Sequence, residues 1–463
     1  MEGHIIQRSV SFRAQDVSYV MQSLLVVRSC ALIGVDGIGK TSFLRHLLSP
    51  HIRDHYLSER SPQMIFFLID SHALAQPSAL AYYRRMAAVI DQVLIQYGLE
   101  RADASQLARI DEDAAILLLF ERVEALLLFQ EVKQLVFVFD EFTVAFTEVE
   151  QHFLRVLHAL RGTYPSRIAY VVTSRNVPSL ICDPFEHKIV YQMFAELFNG
   201  YVHGLRPLDE ADAFAQMDAW LAQEQKGLKL SLRKLCFQAT GGHSGLLKAT
   251  LLAVADAPIT RYEYDSLEVF LEQALSNASI LVQCELLWQS LSEMEQYCLR
   301  HLRQVMLLRK SLFQPSSPRL LQEALKALVL KGILLEAKQD AHFQCFSPLF
   351  AAFVSQQGVS GLQLNVARQQ VWIDGTLQRK HLTAMEFKLL RFLASHTGTI
   401  CSREETTQAV YGDRYFAVDD AARLDALVER TRKSIGDTSR PPRFLETVRG
   451  IGHRLNDYMG ERF

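Results

Sequence analysis

The sequence predicts an α/β domain, a parallel sheet with helices on both faces, followed by helical segments and a small α+β module. Three observations predict this class. Over residues 1–195, short apolar runs alternate with segments of helical spacing. The runs carry few charges, as strands that are buried on both faces do. From residue 208 helical spacing dominates, and the last hundred residues end in a hairpin pattern.

Strands and helices are predicted in alternation before residue 196. Six apolar runs predict strands, four in the first domain and two further on: 24–33, 64–70, 135–140, 168–173, 329–335 and 343–346. Four segments with apolar residues three or four apart predict helices: 42–48, 79–97, 116–129 and 153–161. Because such strands pair in parallel, we expect their carboxyl ends at one edge of the sheet.

Four domains are expected in this chain of 463 residues, because single hydrophobic cores stop growing near about 250 residues. A stretch with Gln, Gly and Ser, 355–361, is the predicted linker before the last domain. The predicted domains are an α/β domain, a helical domain, a small helical domain that ends in a hairpin, and a C-terminal winged helix-turn-helix, at 1–195, 196–280, 281–355 and 362–463.

The cysteines and the apolar content favour a soluble, cytoplasmic protein. The 7 cysteines are odd in number and no two form C-x-x-C, which favours free thiols over disulfides or zinc. Residues 1–14 carry polar and charged side chains throughout, unlike a signal peptide. The apolar run 114–120 is too short to cross a bilayer, so no membrane partner is expected.

Residues 34–41 fit the phosphate-loop pattern G-x-x-x-x-G-K-[ST], between a predicted strand and a predicted helix. Glycines let backbone N–H groups turn onto phosphate oxygens, and the helix N-terminus adds a positive dipole end. The alternative is a plain glycine turn, which would not need the strand and helix in register. The predicted ATP ligands are Gly34, Gly37, Gly39, Lys40, Thr41 and Ser42.

Two acids follow the apolar run 135–139 at its carboxyl end. Asp140 is expected to bind Mg²⁺ together with the Thr41 hydroxyl, and Glu141 to polarise the attacking water. Alternatively, the run emerges into solvent and its acids are merely hydrated. The next strand leads into Ser174, Arg175 and Asn176. Ser174 or Asn176 is expected to sense the γ-phosphate and Arg175 to stabilise its charge, unless Arg175 is an ordinary solvated arginine. The predicted catalytic residues are Glu141, Lys40 and Arg175.

Residues 1–355 resemble bacterial STAND-type ATPases, which are AAA+-related P-loop NTPases of the signalling class. The resemblance rests on the phosphate loop and on six further segments: 139–141, 173–175, 205–211, 241–246, 287–295 and 346–350. It implies ATP and Mg²⁺ as ligands, a helical lid after the α/β P-loop domain, and then a winged helix. Ser244 stands where the family usually has proline. His243, between glycines, is read as a local capping group or, alternatively, as a phosphate ligand.

The C-terminal module is predicted to have three helices and a hairpin. Thr383 with Glu386, and Ser402 with Glu405, form capping-box patterns that begin the first two helices. The third helix, 420–435, has an apolar stripe of Leu424, Val428, Thr431 and Ile435. Its other side carries Arg423, Ala426, Arg430 and Lys433, with Arg432 at the edge. The predicted hairpin strands are 444–448 and 453–455, with Arg449 at the tip.

A basic third helix and an arginine at a wing tip suit double-stranded DNA. Arginine reads guanine in the major groove and also suits a narrow minor groove. The net charge of the whole chain is only −2, and residues 361–463 hold 16 Lys and Arg against 13 Asp and Glu. The alternative is therefore a winged helix that contacts protein, with its basic residues merely solvating it.

The module is similar to the OmpR/PhoB-type DNA-binding domains of response regulators, over about 95 residues. The matching segments lie in family order: 382–386, 402–405, 424–425, 430–433 and 447–452. The resemblance implies that Ala426 and Arg430 face bases, that Arg432 holds phosphate, and that Arg449 enters the minor groove. Lys433, in the same basic cluster, is a further predicted DNA contact. Three departures are Leu427 and Glu429, where polar and basic residues are common, and His453, which replaces the tyrosine of the wing.

Together these features predict an ATP-dependent switch with DNA as its output, most simply a transcriptional regulator. Homo-oligomerisation on ATP binding and a protein effector are further expected partners. Two alternatives remain. One is a conflict-system STAND ATPase whose last module binds protein, which Leu427 and Glu429 favour; the other is a DNA-loading ATPase like the origin-recognition proteins.

Overall fold

A five-stranded parallel sheet organises the first part of the chain. Its strands are β1 to β5, which span Cys30–Ile33, Met64–Asp70, Gln134–Asp140, Ile168–Ser174 and Val202–Gly204. Their order across the sheet is β2-β3-β4-β1-β5, and every neighbouring pair is parallel. β4 therefore lies between β1 and β3, and all three strands are buried along their whole length. Their carboxyl ends meet at one edge, as predicted.

The computed structural model divides the chain into two compact units, Met1–Val354 and Ser355–Phe463. It describes residues 8–74, 76–98, 109–147, 151–177, 188–198, 200–256, 266–300, 302, 319–336, 343–356, 361–366, 369–373, 376–378, 382–396, 399–412, 419–439, 442–448, 450–456 and 458–461. The finer division of the first unit into three domains stays a prediction.

Helices cover both faces of the sheet, as the apolar strands require. The helices α1 to α8 span Ala14–Leu25, Lys40–Leu47, Pro50–Leu57, Ala79–Leu94, Glu112–Leu127, Thr143–Thr147, Gln151–Thr163 and Lys188–Phe198. Short 3₁₀ turns occupy Ser58–Gln63, Ser71–Ala73 and Ile95–Tyr97. Alternate residues of β3 serve separate cores: Val136 and Val138 pack with α1 to α3, whereas Phe137 and Phe139 pack with α4, α5 and α7. This alternation is the period of two that a strand imposes.

Two of the predicted strands, 24–33 and 329–335, are partly wrong. The run 24–33 contains the end of α1, and the strand begins only at Cys30. Leu24, the first residue of the run, belongs to the buried stripe of α1 together with Val17 and Val20. The single apolar run therefore contains both the end of a helix and a strand. Periodicity alone does not separate the two within a short run.

After the sheet, the first unit is mainly helical. The helices α9 to α16 span Glu210–Gln223, Leu230–Thr240, Ser244–Asp256, Leu267–Ala274, Ala278–Gln289, Glu293–Arg300, Arg319–Leu330 and Pro348–Gln356. The antiparallel strands β6 and β7 span Leu334–Glu336 and Phe343–Cys345. The run 329–335 was predicted as a strand, but helix α15 continues to Leu330. Gly332, with φ of 70°, then makes the turn into β6.

The second unit has its own core and two small sheets. The strands β8 to β14 span Leu362–Asn365, Gln370–Ile373, Thr376–Leu377, Cys401–Ser402, Leu445–Val448, Gly452–Leu455 and Tyr458–Glu461. The helices α17 to α19 span Ala384–Ser395, Arg403–Tyr411 and Asp419–Ile435. One sheet has the order β10-β9-β8-β14 and the other β11-β13-β12. The three helices and the hairpin β12–β13 confirm the predicted winged helix, whereas the first sheet was not predicted.

Local sequence explains where the helices of this unit begin. Both predicted capping boxes are present, at Thr383 with Glu386 and at Ser402 with Glu405. In each, the hydroxyl accepts from a backbone N–H and the glutamate accepts from the cap residue's N–H, so two otherwise unpaired donors are satisfied. In the part of the chain that the structure describes, no helix is both long and apolar enough to span a membrane.

Candidate nucleotide site and candidate nucleic-acid interface

The predicted phosphate loop lies between β1 and α2, at the carboxyl edge of the sheet. Gly37 and Gly39 have φ of 75° and 99°, a left-handed region that other residues rarely adopt. Gly39 directly precedes Lys40, the first residue of α2, so the unpaired N–H groups of a helix N-terminus lie at the loop. Gly34 is buried, and a β-carbon on it would meet the Ile38 side chain at 2.9 Å. The loop shape therefore depends on its three glycines.

His243, in the turn after α10, and the first two residues of α11 hold this loop. Three consecutive loop carbonyls accept hydrogen bonds from three consecutive residues: Asp36 O from His243 Nε2 at 2.9 Å, Gly37 O from Gly245 N at 2.8 Å, and Ile38 O from Ser244 Oγ at 3.1 Å. Ser244, at the position where the resemblance expected proline, is thus a donor to the loop. The contacts occupy carbonyls, which are groups that a phosphate cannot use, and they fix the loop conformation.

Lys40 is buried, and its Nζ lies among oxygen atoms. It donates to the carbonyl of Gly34 at 2.9 Å and lies 3.3 Å from Asp36 Oδ1 and 3.5 Å from Glu141 Oε2. A buried ammonium is stable only when it is paired, and here two carboxylates share it. The loop cation and the acid beyond β3, predicted from separate motifs, are therefore brought together.

The two acids at the end of β3 are buried and fixed by β4. The Thr173 hydroxyl donates to Asp140 Oδ1 at 2.6 Å and accepts from the Glu141 N–H at 3.0 Å. Glu141 has φ of 53°, a left-handed conformation that is uncommon outside glycine. Such strain persists where surrounding bonds over-determine it. These acids do not emerge into solvent, which was the alternative to a site.

Arg175, directly after β4, completes a cluster of opposite charges. Its Nε lies 3.0 Å from Glu141 Oε1 and 3.2 Å from Asp36 Oδ1, and its side chain is 39% exposed. Lys40 and Arg175 therefore converge on the same two carboxylates. Sequence reasoning missed Asp36, although an acid inside a phosphate-loop motif was the available signal.

Ser174 and Asn176, the other polar residues at the end of β4, are engaged within the protein. Ser174 Oγ donates to the carbonyl of Asn176 at 2.8 Å and also lies 3.0 Å from the Thr143 hydroxyl. The side-chain oxygen of Asn176 accepts from Lys331 Nζ. Of the three residues 174–176, Arg175 is the one whose side chain contacts Asp36 and Glu141.

Thr41 and Ser42, the last predicted ligands of the loop, differ in their surroundings. Thr41 is exposed on the first turn of α2. Ser42 Oγ accepts from Arg8 Nη2 at 2.8 Å, and Arg8 Nε donates to Gln216 Oε1 at 2.8 Å. Arg8, in the segment before α1, therefore bridges Ser42 at the start of α2 and Gln216 of helix α9, which belongs to the predicted lid.

His243 has the geometry of a capping group. Its Nδ1 accepts from the N–H of Leu246 at 3.3 Å while its Nε2 donates to Asp36 O, an arrangement that requires the neutral ring. Burial lowers the pKa of His243 to about 4, although the bond to Asp36 acts in the opposite direction. A neutral, fully buried imidazole that bonds two backbone groups stabilises the conformation of the phosphate loop, which agrees with the capping interpretation.

The residues fit a phosphate group with a divalent cation. Two cations, a helix N-terminus and a loop with fixed carbonyls suit the phosphates, and in the structure the carboxylates of Asp36 and Glu141 are the anions that both cations meet. Asp140 is a buried carboxylate and Thr41 an accessible hydroxyl at the same edge of the sheet. Mg²⁺ usually takes one or two such ligands and completes its shell with water and phosphate oxygens.

In the second unit, helix α19 has the two faces that its sequence predicted. Leu424, Val428, Thr431 and Ile435 are buried in the core. The opposite face exposes a set of side chains that is mainly basic: Arg423, Ala426, Arg430 and Lys433. A helix with one basic exposed face next to a hairpin is suited to the groove of a nucleic acid.

Arg432 is placed differently from the other predicted contact residues. Its Nε donates to the carbonyl of Leu445 at 2.8 Å, its Nη2 donates to the Thr447 hydroxyl at 2.8 Å, and it is only partly exposed. Glu429 lies 3.6 Å from its Nη1. Arg432 therefore ties α19 to β12 of the hairpin. Arg449, the predicted wing-tip arginine, lies outside the described residues.

Two of the three departures from the resembled family are buried. Leu427 is 1% exposed and packs in the core, so it is no part of a contact surface. The interpretation that Leu427 favours a protein partner is wrong, because the residue faces the inside of the helix bundle. His453 is also buried, and burial lowers its pKa to about 4. Glu429 is exposed and remains the one departure of the three on the basic side of α19.

Comparison with known proteins identifies the class of the second unit. Residues 378–455 match the family described as "Transcriptional regulatory protein, C terminal". Protein PetR of Rhodobacter capsulatus is 37% identical over 81 residues, which are 17% of this chain and 34% of PetR. The chain thus spans about a third of that relative. The C-terminal OmpR/PhoB-type domain expected from the sequence is present.

Solved structures are similar to each unit separately. The Walker-type ATPase PABY2304 of Pyrococcus abyssi has 12% identity over 74% of this chain and 95% of its own, with a TM-score of 0.43. The ORC2 protein of Aeropyrum pernix has 14% identity over 76% and 96%, with a TM-score of 0.44. The DNA-binding domain of Escherichia coli CpxR has 34% identity over 21% and 92%, with a TM-score of 0.19. These TM-scores are all below 0.5.

Proposed function

We propose that this protein is an ATP-dependent switch that binds double-stranded DNA through its C-terminal winged helix and regulates transcription. The observation that carries the proposal is the presence in one chain of two complete parts. One is a phosphate loop whose lysine, Lys40, meets Glu141 at the end of β3, where Arg175 from the end of β4 meets the same carboxylate. The other is a transcriptional-regulator C-terminal domain with an exposed basic helix face.

For ATP, each residue of the cluster has a distinct task. Lys40 binds the β- and γ-phosphates as a point charge, and Arg175 stabilises charge on the γ-phosphoryl group. Glu141, held in a strained and buried position, orients and polarises the attacking water. Mg²⁺, held by Thr41 and Asp140, would neutralise the phosphate oxygens between them. The loop glycines and Ser42 supply the remaining ligands.

For DNA, the exposed face of α19 supports groove binding. Arg430 and Ala426 contact bases, and Arg423 and Lys433 add positive charge close to phosphates. Arg449 is assigned to the minor groove. A smaller role for Arg432 in direct contact is proposed, because two of its five N–H donors already bond the hairpin and Nη1 lies beside Glu429.

The switch would resemble the STAND class in its logic. ATP changes the contacts between the loop and the residue 243–245 turn of the lid, and this change is passed on to the small winged helix. Slow ATP hydrolysis suits such a switch, since its ATP-bound state must be long-lived to act as a signal. Oligomerisation on ATP binding, a protein effector and a cytoplasmic location belong to the same proposal.

Two substitutions separate ATP binding from hydrolysis. Lys40→Ala removes a charge from the phosphates, so tight ATP binding should be lost in calorimetry. Glu141→Gln keeps the shape of the side chain but not its negative charge, so ATP should bind and persist while single-turnover hydrolysis falls at least about a hundredfold. Unchanged affinity in Lys40→Ala, or unchanged hydrolysis in Glu141→Gln, would contradict the assignment.

The DNA part is tested by selecting bound fragments from genomic DNA with the full chain, with and without ATP. Enrichment of a common motif that depends on ATP, and that is lost in Lys40→Ala, supports a transcriptional switch. DNA-stimulated hydrolysis without a preferred motif points to a DNA-loading ATPase instead. Failure to bind any duplex at low salt, with or without ATP, leaves the protein-binding alternative.

A further inference from the structure

A fully buried ion pair lies behind the end of β4. Lys331, in the turn between α15 and β6, contacts Glu295 Oε1 at 2.6 Å, and neither side chain is exposed to solvent. The third member is Asn176, whose side-chain oxygen accepts from the same Nζ. Two charges removed from water cost several kcal/mol each before their attraction is counted, so this pair is a poor device for stability alone.

Each member of the network is fixed by its own element. The other oxygen of Glu295, Oε2, accepts from the N–H of Ser292 at 2.9 Å, while the Ser292 hydroxyl accepts from the Glu295 N–H at 3.3 Å. This capping box orients the glutamate at the start of α14. Burial lowers the pKa of Lys331, although the charge of Glu295 acts in the opposite direction.

The backbone around Lys331 is seated closely on the sheet domain. A β-carbon on Gly204, at the end of β5, would overlap the carbonyl of Leu330. On the other side of the turn, a β-carbon on Gly332 would press on the Arg206 side chain at 3.0 Å. With glycine at both points, the backbone that carries Lys331 approaches the end of the sheet within contact distance.

We infer that Lys331, oriented by Glu295, is a positioning residue of the nucleotide site, which holds Asn176 and thereby the turn that presents Arg175 to the γ-phosphate. Asn176 is the residue after Arg175, and its carbonyl also accepts from Ser174 Oγ. The Arg175 N–H donates to the Thr143 hydroxyl at 3.0 Å, so the turn is anchored on two sides. This inference rests on the proposed ATPase activity and adds a residue to it from outside the sheet.

The test neutralises the pair without a large change in volume, in the double variant Lys331→Met/Glu295→Gln of the full chain. The matched control is Arg122→Met/Asp91→Asn, which neutralises another ion pair with a buried acid, 2.9 Å apart, between α5 and α4. In single-turnover hydrolysis the first variant should lose roughly ten- to a hundredfold in rate, and its affinity for a non-hydrolysable ATP analogue should stay within about twofold. The control variant should keep both the wild-type rate of hydrolysis and the wild-type affinity for the analogue.

A second measurement does not depend on hydrolysis. Amide hydrogen exchange of the peptide that covers residues 173–177 should accelerate in Lys331→Met/Glu295→Gln and not in the control. A normal rate with normal exchange in the first variant overturns the positioning role. So does equal loss of rate, affinity and thermal stability in both variants, since that pattern marks a purely structural pair. If the wild type neither binds nor hydrolyses ATP, the proposed function fails, and the exchange result still decides whether Lys331 holds the turn.

Discussion

Asp36 places a negative charge inside the loop that is expected to hold phosphate groups. Its carboxylate lies 3.3 Å from Lys40 Nζ and 3.2 Å from Arg175 Nε, so it satisfies both cations before any ligand arrives. A phosphate group must displace or share these contacts. An internal anion of this kind lowers the affinity for nucleotide. It also offsets the repulsion between the positive charges of Lys40 and Arg175 in the ligand-free site.

Replacing Asp36 should therefore strengthen nucleotide binding. Asp36→Asn keeps the side-chain shape but removes one of the two carboxylates that pair with Lys40 and Arg175, and the Kd for ATP should fall by roughly three- to tenfold in calorimetry. The effect should shrink as salt is raised, because the competition is electrostatic. Asp256→Asn, which removes an exposed acid that pairs with Lys226, is the matched control. Equal or weaker ATP binding by Asp36→Asn would contradict this role.

At the scale of the element, helix α19 carries two arginines with different surroundings. Arg430 is exposed, whereas Arg432 is bonded to Leu445 and Thr447 of the hairpin. The sequence placed both on the DNA side, since helical periodicity assigns a face to each residue. The hairpin strand β12 lies beside this face and, among the described residues, bonds Arg432 but not Arg430. Helical periodicity within α19 does not predict which of the two arginines the hairpin contacts.

The two arginines should respond differently to truncation. Arg430→Ala should weaken binding to a selected duplex by about 1–3 kcal/mol without lowering the unfolding temperature. Arg432→Ala should lower the unfolding temperature as well, because two hydrogen bonds between α19 and β12 are lost. Fluorescence anisotropy and thermal melts of the same samples check both. Equal melting temperatures with equal loss of binding would return Arg432 to the predicted role of phosphate contact.

His453, in strand β13, makes the second unit sensitive to acid. The pKa of His453 in the folded state is about 4 because the ring is buried, compared with 6.5 for a free histidine. Between these values the unfolded chain binds a proton that the folded one does not, so stability falls as the pH drops from 6.5 towards 4. The loss should be at most about 3 kcal/mol.

Chemical denaturation of residues 355–463 at several pH values measures this loss. His453→Asn should reduce it, since asparagine does not titrate in this range. A pH dependence that is the same in His453→Asn and in the wild type would show that other groups cause it.

Elements with strong local signals were predicted well, and elements that depend on distant pairing were not. The strand Met64–Asp70 and both capping boxes follow from residues that are close in sequence. Strand β14 was missed because its partner strand, β8, lies almost a hundred residues earlier in the chain. Within the candidate site, the motifs located Lys40 and Glu141, but the pairing of Asp36 with both cations became visible only in three dimensions.

At the scale of the molecule, the two units have separate hydrophobic cores. The second core is formed entirely by residues after 361, among them Leu364, Leu390, Leu424 and Leu455. A unit that buries its own apolar residues in this way is expected to fold without the rest of the chain. Ligand binding to one such unit raises the stability of that unit by mass action.

Residues 355–463 alone should therefore unfold cooperatively, at a temperature that matches one transition of the full chain in calorimetry. ATP should raise the other transition of the full chain, by an amount that grows with its concentration, and Lys40→Ala should abolish the shift. A fragment that is unfolded in isolation would show that the second unit needs the first. A shift that persists in Lys40→Ala would place the ligand elsewhere.

The order of strands in the parallel sheet has a consequence for the synthesis of the protein. Strand β1 has β4 and β5 as its neighbours, and about 140 residues separate Cys30 from Ile168. At about 5–20 residues per second, a ribosome needs roughly 7 to 28 seconds between the two. For that time the apolar strand that leads into the phosphate loop has no partner strand, so the nascent chain depends on α1 or on a chaperone to cover it.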